Sequence, residues 1–266
     1  MPITMDEFIS LVEPEKTVLL FGAGASIPSG APGVNELVGH FAEKYELDKD
    51  LELAEITFLA EKKASRRKVI TDLRKFFPHV KPKGGLLKLP RWRWKGIYTT
   101  NYDTLVEQAF EKANKKCRVY SSNFDFHIDE EEFDCELFKI HGTIEKDISD
   151  GNQSRIILTV DDYDQTEEFR EQLYDRMRGD LAGADLVIVG QSLSDPDMDE
   201  LVKRAARLNK SSFSPGSITL LVYTENESRA LLQERKGLRV VFGGIDELFT
   251  QLEKKPPKVV AASAVK

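Results

Sequence analysis

The feature that most constrains this chain is a series of short apolar runs of strand length, several of them apolar throughout rather than alternating with polar residues. Strands that are buried on both faces have this pattern, as in parallel sheets covered by helices. The predicted strands are Val18–Phe21, Gly96–Tyr98, Leu137–Ile140, Ile156–Leu158, Leu186–Val189, Ile218–Tyr223 and Arg239–Phe242.

Segments with the apolar spacing of helices lie between these runs, and several of them follow an Asp, Asn or Gly that can start a helix. The predicted helices are Asn35–Tyr45, Thr104–Lys115, Thr166–Leu181, Met198–Leu208, Glu227–Glu234 and Ile245–Lys254. Strands that alternate with helices predict an α/β fold with a doubly wound, mostly parallel, Rossmann-like sheet.

One stretch breaks this alternation. Residues 50–77 have the pattern of two consecutive helices, LELAEITFLAEKKA and SRRKVITDLRKFF, and the Pro- and Gly-rich segment FPHVKPKGG follows them. We therefore predict one domain over residues 1–255 with a helical insertion at about residues 50–90. The segment 256–266 contains small residues and prolines, so we predict a tail or linker there.

Composition excludes several classes of protein. The chain has 38 Lys and Arg against 45 Asp and Glu, a net charge of −7, which argues against direct nucleic-acid binding. Two cysteines, Cys117 and Cys135, cannot build a disulfide framework, and neither lies in a CxxC pair. No apolar run approaches the roughly 20 residues that span a bilayer, and the acidic start lacks a secretory signal. We expect a cytoplasmic protein without membrane contact.

A glycine-rich segment, FGAGASIPSGAPG, directly follows the first predicted strand. Such segments allow tight turns and close approach of a phosphate to main-chain N–H groups. The spacing fits neither a Rossmann fingerprint, because Ile27 stands where a third glycine is needed, nor a P-loop. A plain strand-to-helix connection explains this segment equally well.

Polar residues also gather at the ends of the next two strands. Thr99, Thr100, Asn101 and Asp103 follow the second run, and a helix cap explains one of them but not four. His141 follows the third run and is a candidate general base, although a lone histidine is more often structural. Ligands of open α/β sheets bind at the carboxyl ends of strands, so these positions indicate a site.

A fourth strand end carries the segment GQSLSDPDM after Leu186–Val189. It is not a nucleophile elbow, because GxSxG requires glycine at the last position. Gly190 and Ser192 are candidate ligand contacts. Asp195 and Asp197 are predicted to be a helix cap and a first-turn acid, without a further role.

Together, four motifs in this order resemble the sirtuin, or SIR2-like, superfamily: GAGAS at 22–26, TTNYD at 99–103, HG at 141–142 and GQSLSDPDM at 190–198. The resemblance covers about residues 15–250. That superfamily binds NAD and cleaves its nicotinamide glycosidic bond. The implied contacts with the dinucleotide are made by Gly22, Ala23, Gly24, Ser26, Thr100, Asn101, Asp103, Gly190 and Ser192.

Within that set, the resemblance implies that residues 22–26 hold the pyrophosphate and that Gly190 and Ser192 face the adenosine half. Asn101 and Asp103 would contact the nicotinamide ribose and order the attacking group, and His141 would be the base. The implied catalytic residues are thus Asn101, His141 and Asp103.

Departures from deacylase sirtuins narrow the expected activity. Deacylases carry a zinc ribbon of paired CxxC motifs after the HG, and this chain has no cysteine there, so no zinc or other metal site is expected. Thr100 also replaces their usual glutamine. The motifs are more similar to the bacterial SIR2-like branch of antiphage defence, whose members consume NAD with water as acceptor. That likeness implies an NAD glycohydrolase acting in abortive infection.

Two alternatives remain open from the sequence, namely a protein deacylase or ADP-ribosyltransferase, and a sensor that holds NAD or ADP-ribose without turnover. The resemblance also implies control by assembly, as a homo-oligomer, with a sensing partner such as a motor ATPase or a short Argonaute, or with a further domain. The insertion lies between the first two motifs, so we expect it to cover the cleft.

Overall fold

The structure, a computed structural model, describes residues 2–126, 131–147, 154–164, 166–193, 195–211 and 216–255. Its centre is a seven-stranded sheet in the order β3-β4-β2-β1-β5-β6-β7. All six pairings between neighbouring strands are parallel. The strands are β1 (Thr17–Phe21), β2 (Gly96–Thr99), β3 (Cys117–Tyr120), β4 (Cys135–Lys139), β5 (Asp185–Val189), β6 (Ile218–Val222) and β7 (Arg239–Phe242).

Twelve helices surround the sheet in the described part of the chain. They are α1 (Met5–Leu11), α2 (Ala23–Ser26), α3 (Val34–Tyr45), α4 (Leu53–Lys63), α5 (Arg66–Arg74), α6 (Gly85–Lys88), α7 (Leu105–Lys112), α8 (Val160–Tyr163), α9 (Thr166–Asp180), α10 (Pro196–Ser211), α11 (Glu227–Arg235) and α12 (Ile245–Lys254). The predicted α/β class with a doubly wound, Rossmann-like parallel sheet is confirmed. None of these helices combines the length and hydrophobicity needed to cross a membrane.

Three apolar clusters hold the layers together. One face of the sheet packs against α1, α6, α7 and α12, and the other packs against α9 and α10. The third cluster lies away from the sheet and joins α3, α4 and α5 to the residues around Ile156. The two helices predicted in 50–77 are therefore present as α4 and α5, and they share a core with α3.

The predicted strand Ile156–Leu158 is wrong, although its three residues are buried. Its carbonyl oxygens accept hydrogen bonds from side chains, namely Arg66, Tyr102 and Thr57, rather than from a neighbouring strand. The run is apolar because the segment is buried. Side-chain donors satisfy its carbonyl oxygens, so the segment does not need to join the sheet.

Conversely, strand β3 was missed. It is an edge strand of four residues, CRVY, of which only Tyr120 is fully buried. An edge strand with a charged residue has no continuous apolar run, so periodicity does not reveal it.

Candidate active site

A cleft of about 790 Å³ opens at the carboxyl ends of β1, β2, β4 and β5. Strands β2, β3 and β4 lie on one side of β1 in the sheet, and β5, β6 and β7 lie on the other. Such a switch point is where open α/β sheets bind ligands, and the volume suits a small-molecule site. Residues 49–54 and Phe77, at the start of and within the predicted insertion, form a further part of its wall.

Most of the residues predicted from the sequence come together in this cleft. Its lining includes Ala23, Ser26, Thr100, Asn101, Asp103, His141 and Ser192. Gly22, Gly24 and Gly190 are not part of the lining, so their role in binding a dinucleotide stays a prediction.

These three glycines instead let two loops touch. The Gly22 and Gly24 N–H groups donate to the carbonyls of Val189 and Gly190, both at 2.9 Å. A Cβ on Gly24 would lie 2.7 Å from Gly190 Cα, and one on Gly190 would lie 2.1 Å from the Ala25 nitrogen. Gly190 also has a φ of +68°, which side chains disfavour. Because these glycines have no side chains, the loop after β1 packs directly against the loop after β5.

Asn101 is held in one orientation by two hydrogen bonds. Its Nδ2 donates to the Gly22 carbonyl oxygen and to Ser26 Oγ, both at 2.9 Å. A carbonyl oxygen can only accept, so the amide nitrogen must face it. No described residue bonds Oδ1, which is therefore the atom of this cleft-lining side chain that remains to bind a ligand or water.

Asp103 lies next to this amide, and both of its carboxylate oxygens are engaged. Oδ2 accepts from Ser26 Oγ at 2.8 Å, and Oδ1 accepts from the Leu105 N–H at 3.0 Å, at the start of α7. Ser26 thus links Asn101 to Asp103, so Asp103 helps to hold the Asn101 amide in place through Ser26.

Lys139 is a site-supporting residue that the sequence reasoning missed. Its side chain is fully buried at the end of β4, and Nζ donates to the Asp103 carbonyl oxygen, to Glu107 and to Thr143 at 2.5, 2.9 and 3.1 Å. This cation ties the loop after β2 to the loop after β4. A lysine within an apolar run was the available signal, because lysine is rarely buried without a partner.

Gln191 was also missed. Its Nε2 donates to Thr100 Oγ1 at 3.1 Å, which joins the loops after β5 and β2 across the cleft floor.

His141 faces a second acid that the sequence reasoning had taken for a helix cap alone. Its Nε2 lies 2.8 Å from Asp195 Oδ2. The cap is confirmed, because Asp195 Oδ1 accepts from the N–H groups of Asp197 and Met198 at 2.9 and 3.2 Å. The prediction that Asp195 has no role beyond the cap is wrong, because its other carboxylate oxygen contacts His141.

The Asp195 carboxyl is electrostatically tuned by its surroundings. Burial raises its pKa, but the close contact with His141, the charge of that ring and the two backbone N–H groups lower it by more. The net pKa therefore lies below the ordinary aspartate value. For Asp197, burial and the neighbouring Asp195 charge raise the pKa. Asp195 therefore has the lower pKa of these two acids.

Metal ligation finds no support in the described residues, where no group of three or more His, Cys, Asp or Glu side chains is arranged to hold an ion. The expectation of no zinc stays a prediction.

The chain is similar to "NAD(+) hydrolase ThsA" of Cytobacillus dafuensis, with 25% identity over 207 residues that cover 76% of this chain and 40% of the relative. A second "NAD(+) hydrolase ThsA", of Bacillus cereus (strain MSX-D12), is 26% identical over 205 residues, 74% of this chain and 41% of the relative. "Defense-associated sirtuin 2" of Bacillus subtilis is 26% identical over 237 residues, 85% of this chain and 23% of the relative.

This chain spans about two-fifths of the length of the ThsA relatives that it matches. The model of the SIR2-like domain family matches residues 95–241, which hold the TTNYD, HG and GQSLSDPDM motifs, strands β2 to β6 and most of β7. That match covers more than half of the chain, and the protein therefore belongs to the SIR2-like domain family.

Proposed function

We propose that this chain is an NAD glycohydrolase of antiphage defence, which uses water to convert NAD into nicotinamide and ADP-ribose. The observation that carries the proposal is the placement of Asn101 and His141 at neighbouring strand ends of one cleft, Asn101 with its Oδ1 unbonded by any described residue. Relatives named as NAD(+) hydrolases and as a defence-associated sirtuin support it.

The proposed reaction starts with loosening of the bond between the nicotinamide nitrogen and the ribose, through an oxocarbenium-like state. The bonding electron pair leaves with the nicotinamide nitrogen. A water held by Asn101 Oδ1 attacks the ribose carbon, and His141 accepts the proton that the water loses. Orienting and deprotonating the water each lower the barrier.

Within this proposal, Ala23 and Ser26 lie where the predicted pyrophosphate contacts begin, and Thr100 and Ser192 line the same cleft. Gly22, Gly24 and Gly190 contribute by keeping the two loops close together. Asp103 supports Asn101 through Ser26.

Control by assembly is part of the proposal. An unrestrained NAD hydrolase exhausts the cofactor of its own cell, which fits a role in abortive infection and requires a gate. We propose that a homo-oligomer, a sensing partner or a further domain supplies it and that the wall formed by residues 49–54 is the part that responds. The boundaries of that domain, 1–255 with the insertion at about 50–90, belong to the same proposal.

The test is nicotinamide and ADP-ribose formation, measured by HPLC, over a series of protein concentrations without any peptide. We expect turnover in the assembled protein and a loss of about 100-fold or more in Asn101→Ala and in His141→Ala. His79→Ala, which removes an exposed histidine outside the cleft lining, is the matched control.

Each alternative has its own outcome in this assay. Turnover that depends on an added acyl-lysine peptide would replace the proposal with a deacylase. Saturable NAD binding without nicotinamide release at every concentration would indicate a sensor.

A further inference from the structure

The contact between His141 and Asp195 joins two motifs that lie far apart in the chain. The side chains are 7% and 8% exposed, and Nε2 and Oδ2 lie 2.8 Å apart. The N–H direction is not aligned with the oxygen, and no other described group bonds either atom. Hydrogen bonds of catalytic groups are often poorly aligned in ligand-free enzymes and tighten when substrate binds.

Asp195 fixes which ring nitrogen carries the proton. A carboxylate can only accept a hydrogen bond, so the neutral imidazole facing it has its proton on Nε2. Nδ1 is then the ring nitrogen that can accept a proton. His141 lines the cleft, so that acceptor belongs to the proposed reaction site.

The other groups around His141 do not replace Asp195. The Tyr163 ring meets the imidazole edge to face with centroids 5.7 Å apart. Asp197 adds a nearby acid, but among the described residues the carboxylate in ion-pair contact with Nε2 is that of Asp195. Lys139, two residues before His141, is turned toward Asp103, Glu107 and Thr143.

Asp195 itself is held by the start of α10. Its Oδ1 accepts two backbone N–H groups, which orient the carboxylate, and the positive end of the helix dipole favours its charge. One oxygen is therefore used by the helix and the other is left for His141.

We propose that Asp195 is the positioning residue of His141, holding the Nε2–H tautomer so that Nδ1 takes the proton of the attacking water, and stabilising the imidazolium that results. In this step the water oxygen bonds to the ribose carbon, the carbon–nitrogen bond breaks with its electron pair going to nicotinamide, and the proton moves to Nδ1 before release to solvent. This role rests on the proposed NAD glycohydrolase function.

The competing explanation is that Asp195 serves only as a helix cap. Substitutions that keep the cap but remove the charge distinguish the two explanations. Asp195→Asn and Asp195→Ser both keep an oxygen that can cap α10 but remove the charge. We expect both variants to retain the melting temperature of the wild type to within a few degrees and to lose about 100-fold or more in kcat with little change in KM. The acid limb of the pH–kcat/KM profile moves to lower pH, because the charge that favours the imidazolium is gone.

Asp199→Asn is the matched control, since Asp199 lies on the same helix but pairs with Lys203 and Lys236 away from the cleft. It is expected to keep wild-type kinetics. Wild-type kcat and an unshifted pH profile in Asp195→Asn would overturn the proposal.

A second measurement does not depend on turnover. The ¹⁵N chemical shifts of the His141 ring in the ligand-free protein report the tautomer, and the chain has only four histidines to assign. We expect the Nε2–H form in the wild type and a reduced share of it in Asp195→Asn. A wild-type ring protonated on Nδ1 in its neutral form would overturn the proposal. If the ring shows the expected tautomer but the protein does not hydrolyse NAD under any condition, the proposed function is overturned. The structural pairing of His141 with Asp195 would still hold.

Discussion

The two sides of the cleft are built differently. On the Asn101 side, hydrogen bonds run without a break from the Gly22 carbonyl through Asn101 and Ser26 to Asp103. On the His141 side, Nε2 and Asp195 Oδ2 are close but not aligned, and no other described group bonds either atom. Ser26 and Asp103 on one side and His141 on the other are all buried, so the two sides differ mainly in hydrogen bonding.

This difference separates a preorganised part of the site from a part that adjusts. A satisfied network holds its groups in place before a ligand arrives, which lowers the cost of reaching the reactive geometry. Buried polar atoms without aligned partners carry a cost that a bound ligand can relieve. The Asn101 side is therefore expected to resist change, and the His141 side to change on binding.

The largest expected effect comes from Gly190→Ala, which attacks the backbone contact beneath the Asn101 side. The added Cβ meets the Ala25 nitrogen at 2.1 Å at a residue with positive φ. We expect a loss of about 4 kcal/mol in the free energy of unfolding, measured by urea denaturation. Gly39→Ala is the control, because a Cβ on Gly39 in α3 meets nothing within 4 Å. It should be neutral or slightly stabilising. Equal stability of the two variants would show that the loops are not packed as described.

Next in size is Lys139→Met, which removes the buried cation between the two sides. Glu107 and the Asp103 carbonyl lose their shared donor, and we expect a loss of about 3 kcal/mol. Adding Glu107→Gln to the same chain removes the charge left behind and should restore part of that loss. A double-mutant cycle by urea denaturation gives the coupling between the two residues, and additive effects would contradict the ion pair.

Ser26→Ala should have a smaller effect on folding and a clear one on turnover. The variant removes one of the two acceptors of the Asn101 amide and the donor to Asp103, which we expect to cost about 1–2 kcal/mol. The amide is then held by the Gly22 carbonyl without the serine, so we expect nicotinamide release to fall by more than the loss of stability alone explains. Ser10→Ala removes an exposed hydroxyl with a local bond to Glu7 and serves as control. Unchanged turnover in Ser26→Ala would show that Asn101 is not held through this serine.

The smallest expected effect is the pH dependence of stability on the His141 side. The pKa of Asp195 is lowered in the folded protein, so its contribution is complete above the unfolded value of about 3.9 and is lost as the pH falls through the folded value. Its slope is at most about 1.4 kcal/mol per pH unit for one proton. Urea denaturation between pH 3 and 7 should show a shallower acid loss in Asp195→Asn than in the wild type, and identical slopes would contradict the pairing.

The sequence predicted the positions that gather at the cleft because strand ends are local features. Thr100, Asn101, Asp103 and His141 each follow an apolar run, and a parallel sheet brings such ends to one edge. The predicted strand at 156–158 failed because an apolar run records burial without recording which groups satisfy its backbone.

Asp195 and Lys139 could not be found in the same way. The cap at the start of α10 fully accounts for an aspartate before a helix, so the local pattern gives no sign of a second contact through the other carboxylate oxygen. Lys139 acts through loops after two different strands, and such contacts exist only once the sheet has formed. Local patterns thus locate a site, whereas its internal connections depend on tertiary structure.

The segment 156–158 has a mechanical consequence. Its carbonyl oxygens accept hydrogen bonds from the side chains of Thr57 in α4 and Arg66 in α5. The Ile157 N–H in turn donates to the His141 carbonyl oxygen at 3.0 Å. A displacement of either helix therefore acts on the His141 backbone through two hydrogen bonds in series, one into the segment and one from the Ile157 N–H. The insertion is therefore coupled to the backbone of the proposed base through side-chain hydrogen bonds as well as through packing.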